Sequence, residues 1–235
     1  MMSDLRQQRP RVSRHSINGP VFLNQRFGEG FVDMTAKRQW PLRTVGVLGV
    51  LIGLFIIVAV FAALEHYKVA EHRQWKERYT KAAKRLEQST TDEARFYPLT
   101  ELAKGALYFG ATNDARAYAL RLLAMAPHFK EDWNYGNAIH DGNEVLGIIA
   151  VQEGKINEAK QLLLEAGKSP GSPQLDSFGP DMELAQNLLQ RGERDTVLEY
   201  LQLCSKFWKD NEGLLERWTA AIKSGKAPDL RDKYP

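Results

Sequence analysis

The stretch LGIIAVQEGKINEAKQLLLEAG, residues 146–167, decides how this chain is read. Apolar residues recur at helical spacing on both sides of Gly154, and no proline interrupts either run. Two such helices joined at a glycine make a hairpin, because glycine suits the left-handed residue that ends the first helix. One hairpin alone says little about a fold, so the spacing has to recur. In a frame beginning at His140, Leu146 and Gly147 fall at positions seven and eight, Gly154 at fifteen, Ala159 at twenty, Leu163 at twenty-four and Ala166 at twenty-seven. A frame from Phe96 puts Leu102, Ala103, Gly110 and Ala115 at the same places, with Pro127 at thirty-two. A frame from Phe178 does so with Leu184, Ala185, Gly192, Val197, Leu201 and Cys204.

This pattern of small, large and glycine positions resembles the tetratricopeptide repeat over residues 96–211. The resemblance implies an all-α fold: a short α-solenoid of about three helical hairpins, with the stripe Leu214, Leu215, Trp218 and Ile222 as its capping helix. The repeats depart from the family. None has tryptophan at position four, where Leu99, Asn143 and Asp181 stand, and the glycines are 44 and 38 residues apart. The second and third units also look like a group of bacterial proteins described only as repeat-containing, which imports no activity.

Repeat solenoids bind along the concave face of their first helices. The resemblance therefore implies a partner-binding groove of Tyr97, Thr100, Lys104, Leu107 and Tyr108, then Asp141, Glu144, Ile148, Val151 and Gln152, then Gly179, Met182, Gln186, Leu189 and Gln190. Its expected ligand is a protein or peptide segment. The family's clamp for acidic chaperone tails is absent, since its positions hold Thr100, Lys104, Val145, Gly179 and Glu183.

Ahead of the repeats, Thr44 to Leu64 contains no charged residue. At about 1.5 Å per residue such a run reaches roughly 30 Å, enough to cross a bilayer. Residues 43–64 are expected to form a transmembrane helix acting as signal anchor, with Trp40 and Tyr67 at the two interfaces. Lys and Arg nearly balance across it, three before and four after within fifteen residues. The further arginines of the tail tip the expected orientation to amino end inside. Residues 1–42 read as a disordered basic tail, residues 65–90 as a juxtamembrane helix and residues 91–235 as the repeat domain. The arginine-rich start also resembles a mitochondrial presequence.

Residues 1–43 carry a net +5, residues 65–85 a net +4 and residues 86–235 a net −6. Positive charge thus brackets the apolar run instead of coating a folded face, which argues against nucleic acid as a partner. Cys204 is the single cysteine, so no intrachain disulfide exists, and its frame position makes it core packing.

Chemistry is sparse. His140 and Glu144 share a helix face beside Asp141, but a metal needs three or four converging ligands, and the expectation is a polar helix start. No phosphate loop, nucleophile elbow or cysteine pair occurs, so neither a cofactor nor an enzymatic reaction is expected. A hydrolase would betray itself by a groove acid such as Asp141 or Glu144 with a strongly shifted pKa beside a deep pocket. The loop KSPGSPQLDSFGP, residues 168–180, reads as a rigid connection or as a binding loop at the groove edge. In it Phe178 is expected to tuck beneath the turn, and Pro180 to open the next helix.

The functional expectation is a single-pass bacterial inner-membrane scaffold whose carboxyl-terminal domain lies in the periplasm and recruits a protein partner for secretion or envelope assembly. The alternative is an accessory subunit of a larger membrane complex, held through its tail and spanning helix, where Gly49 and Gly53 form a G-x-x-x-G pair.

Overall fold

The computed structural model describes residues 42–232, and every regular element among them is helical. The expected disordered tail lies outside the described residues, as does Trp40. The chain divides into two units, residues 1–55 and 56–235. Of the first, the described part is the start of helix α1, Leu42–Gln88. Within α1 the described residues include one stretch long and apolar enough to cross a membrane, and none of it is buried by protein.

In the second unit α1 leads into α2 (Asp92–Phe96), α3 (Pro98–Tyr108) and α4 (Thr112–Met125). Then come α5 (Tyr135–Gln152), α6 (Ile156–Gly167), α7 (Pro173–Phe178), α8 (Glu183–Gln190), α9 (Arg194–Cys204) and α10 (Leu214–Lys223). Three pairs of helices joined by a short turn pack together, α3 with α4, α5 with α6 and α8 with α9, and α4 packs on α5 nearly as extensively as on α3. Gly110, Gly154 and Gly192 join them at φ of 74°, 74° and 87°. That region is open to glycine and strained for other residues, so these glycines stop each first helix where the spacing placed them.

Packing follows the same logic. Ala103, Gly147 and Ala185 at position eight are all buried, as are Ala115, Ala159 and Val197 at position twenty. Small side chains there bring the helices of a pair together, and neighbouring pairs touch through α3 with α5, α4 with α5, α5 with α8 and α6 with α9. At Gly147 a Cβ would stand 2.2 Å from Leu184 Cδ2, so α5 accepts Leu184 only because that position is bare. Leu214, Leu215, Trp218 and Ile222 are buried along α10, as their stripe predicts, and Cys204 is fully buried beneath α9.

Residues 65–88 belong to α1 and cover the first pair rather than standing clear of it. Tyr79 packs on the bare backbone of Gly105, Trp75 stacks on Tyr108 at 5.5 Å, and Arg78 holds Glu101 through two bonds of 2.9 and 2.8 Å.

The connection over residues 168–180 contains α7 and is bonded to the start of α5. Ser169 donates its hydroxyl to the Gly136 carbonyl at 2.7 Å, and Ser172 donates to Asn137 at 2.5 Å while capping α7 at Leu175. Two expectations need correction here. Phe178 is 66% exposed instead of tucked, because Gly179, at φ 71°, turns the chain against Trp208 at that point. The next helix, α8, begins at Glu183, three residues beyond Pro180.

Candidate functional site

Two adjoining cavities lie on the face formed by α3, α5 and the turn into α8. The larger, about 1010 Å³, is lined by Tyr97, Thr100, Lys104 and Asp141, together with Arg78, Arg85, Trp133, Asn137, Gln174 and Phe178. The smaller, about 390 Å³, is lined by Lys104, Tyr108, Glu144 and Ile148, with Glu71, Trp75 and Glu183 among the rest. Lys104 and Asp181 border both.

Between the cavities sits a buried polar cluster drawn from four elements. Lys104 on α3 reaches Asp141 at 2.8 Å and Asp181 at 3.5 Å. His140 on α5 is fully buried, with Nδ1 at 3.2 Å from Asp141 and Nε2 at 3.0 Å from the Tyr200 hydroxyl on α9. Glu144, one turn on, is 1% exposed and accepts the Leu184 backbone N–H at 3.1 Å, while His140 Nε2 lies 3.4 Å from its other oxygen. The expectation of a polar helix start is therefore wrong: α5 begins at Tyr135, and His140 and Glu144 point inwards to fasten α5 to α8 and α9.

Charge states follow from these neighbours. Burial alone would raise the Asp141 carboxyl, but the Lys104 ammonium and the His140 ring hold it far below the usual range. Burial opposes the Lys104 charge too, and Asp141 and Asp181 outweigh it. Glu144 goes the other way: burial, and then the nearby Asp181 charge, push its carboxyl well above ordinary glutamate. Tyr200 is likewise raised by burial. At the cavity rim the hydrogen bond from the Tyr97 hydroxyl to Asp132, 2.6 Å long, together with burial pushes that phenol up to about 12.

The Glu144 shift has a testable sign. A carboxyl raised on folding adds no penalty below its unfolded value, about 4.5, and loses stability as pH climbs through its folded value. Glu144→Gln keeps the acceptor for Leu184 and cannot ionise. Its melting temperature relative to the parent protein is expected to rise as pH climbs from about 4.5 towards the raised folded value. A difference that stays flat across that range would show that Glu144 ionises freely.

Nine of the groove residues expected from the repeat frames, Tyr97, Thr100, Lys104, Leu107, Tyr108, Asp141, Glu144, Ile148 and Gly179, line the two cavities, while Val151 and Leu189 are buried. Gln152 and Gln190 are exposed outside them. Met182 is buried. Gln186 is buried because its side-chain oxygen accepts the Leu230 N–H at 2.7 Å, so a carboxyl-terminal segment lies over the third pair. Sequence spacing missed Trp133, Asn137 and Gln174, which lie outside the frames, and Phe178, which opens the third frame but was not among its groove positions, although the unusual SPGSP loop marked the place. Among the described residues no group of three or more His, Cys, Asp or Glu is arranged to hold a metal ion. No known family's sequence profile, no curated protein and no solved structure matches this chain.

Proposed function

We propose that this chain is a membrane-anchored adaptor of tetratricopeptide-like build, whose groove holds an extended segment of a protein partner. The larger cavity carries the reading. Its lining includes the exposed aromatic side chains of Trp133, at 51%, and Phe178, at 66%, together with Arg85, Asn137 and Gln174. Aromatic anchors among amides and charges suit a peptide backbone and its side chains. The apolar stretch of α1 supplies the anchor, here a bacterial inner membrane with the helical pairs on the periplasmic side.

A photo-crosslinking residue in place of Trp133 is expected to yield one discrete protein adduct in membranes. The same residue at Leu120, exposed at 53% and outside both cavities, is expected to yield none. Equal adducts from both positions would end the groove reading.

One observation favours the accessory-subunit reading: at Gly49 and Gly53 a Cβ would meet nothing within 4 Å, leaving that stripe of α1 open for another helix. Removing residues 1–64 separates the two, since partner capture survives under the adaptor reading and disappears under the other.

The raised Glu144 carboxyl beside a cavity is also what a hydrolase would show. Its own bonds are structural: one oxygen accepts the Leu184 N–H and the other lies 3.4 Å from His140 Nε2, which ties α5 to the start of α8.

A further inference from the structure

The smaller cavity has a charge imbalance that the larger lacks. Glu71, Glu144, Asp181 and Glu183 line it, and Lys104 is its one basic residue. The Lys104 ammonium is shared between Asp141 at 2.8 Å and Asp181 at 3.5 Å, which leaves Glu71, Glu144 and Glu183 without an ion pair to it. On the opposite wall Trp75 stacks on Tyr108, and the Arg78 guanidinium lies 4.7 Å from the Trp75 ring centre. The aromatic pair is thus already a surface on which a cation rests.

Glu144 supplies a second, independent sign. It is 1% exposed and lines this cavity, and its Oε2 makes no hydrogen bond. A buried carboxyl oxygen without a hydrogen bond is unfavourable, and besides His140 Nε2 at 3.4 Å this group borders the cavity and its acidic lining. At the rim, the chain's own Arg231 reaches to 3.7 Å from Glu183 Oε2, so a guanidinium is drawn to this edge even from a distant segment.

We propose that this cavity receives the aliphatic stem and cationic head of one lysine or arginine side chain from a basic peptide segment. The inference rests on the peptide-groove reading and adds the chemistry of the ligand. Ile148 and Tyr108 contact the stem, and Glu144, Glu183 and Glu71 surround the head. A peptide is the occupant because the larger cavity shares Lys104 and Asp181 with this one. A chain lying in the first turns one side chain into the second.

Binding of this kind couples to protons. Burial and Asp181 keep Glu144 protonated above the ordinary carboxyl range in the free protein. The groups that face it are His140 and Asp141 on its own helix, Lys104 on α3, Asp181 and Glu183 around the start of α8, Tyr200 on α9 and Glu71 on α1. A bound cation replaces the proton as counter-charge, so the proton leaves and affinity rises with pH.

The test uses the full chain in lipid nanodiscs. Random dodecapeptides displayed on phage are selected against it, after subtraction on empty nanodiscs. Recovered sequences are expected to share a lysine or arginine at one aligned position beside an aliphatic residue. Replacing that single basic residue by norleucine is expected to weaken the dissociation constant about tenfold or more. The rim double variant Glu71→Gln/Glu183→Gln is expected to weaken it similarly without disturbing the core, and Glu144→Gln to flatten the pH profile. Recovered peptides that bind equally well with norleucine would overturn the basic-side-chain inference and leave the groove intact. Failure to recover any peptide above empty nanodiscs would overturn the groove reading, and this inference with it.

Discussion

Replacing Gly136 by alanine is expected to destabilise the folded chain by about 3 kcal/mol or more. A Cβ at Gly136 would stand 1.8 Å from the carbonyl oxygen of Gly171, which is backbone and cannot rotate aside. Nor can the loop retreat. Ser169 is bonded to the Gly136 carbonyl, Ser172 to Asn137, and Asp176 accepts the Lys209 N–H at 2.8 Å. Gly171 itself, at φ 89°, is pressed against Phe207. Moving the loop by the needed ångström breaks several of these bonds together. Gly154→Ala is the control, because a Cβ there meets nothing within 4 Å and only the positive φ of 74° is strained, about 1–2 kcal/mol. Thermal unfolding of the full chain in detergent micelles compares them. If Gly136→Ala loses no more than Gly154→Ala, the loop is not clasped to α5 in this way.

Lys104→Met is expected to cost about 2–4 kcal/mol at neutral pH. The substitution preserves much of the stem but leaves Asp141, its side chain 13% exposed, facing Asp181 and Glu144 without a cation. Removing one partner of a buried pair costs more than the pair contributes, because the survivor's charge stays in a poorly solvated place. Lys104 keeps 22% of its side chain exposed, so the figure is set below that for a fully buried pair. The pH dependence has a definite sign. In the parent protein Asp141 is depressed, and the stability it brings is present above its unfolded value of about 3.8 and lost as pH falls through the folded one. In the variant the Lys104 share of that depression is gone and only the His140 share remains, so the gap between variant and parent is expected to narrow as pH falls to about 3. Urea midpoints at the two pH values measure it. Lys104→Met/Asp141→Asn should recover most of the loss at neutral pH. A double variant as unstable as the single one would place the damage in packing rather than charge.

What could be read in the sequence was local. The apolar run of α1, the hairpin glycines, the small residues at positions eight and twenty and the stripe of α10 each depend on neighbours within a few turns, so spacing alone located them. The polar cluster was not local. His140 and Glu144 were visible as a helical pair, but their partners Leu184 and Tyr200 are 40 and 60 residues away, and no periodicity points across that gap. The groove divided along the same line. Of the proposed groove, the α3 and α5 positions that line the cavities were legible because the two helices present corresponding faces. The third pair broke the pattern when Leu230 settled on Gln186, a contact made by a segment outside any repeat. Phe178 and Trp133 escaped because connections carry no period.

That last contact bears on how the protein is made. Leu230 is fully buried, and its backbone N–H is the donor that Gln186 accepts. During synthesis the third pair emerges well before residue 230 does, so for a time the pair exists without its cover. Any product that stops short of residue 230 stays that way, with an amide oxygen lacking its donor and an apolar slot open to water. Such a product displays the kind of exposed surface that chaperones and proteases recognise, so a chain truncated before Leu230 is expected to be degraded faster than the full one.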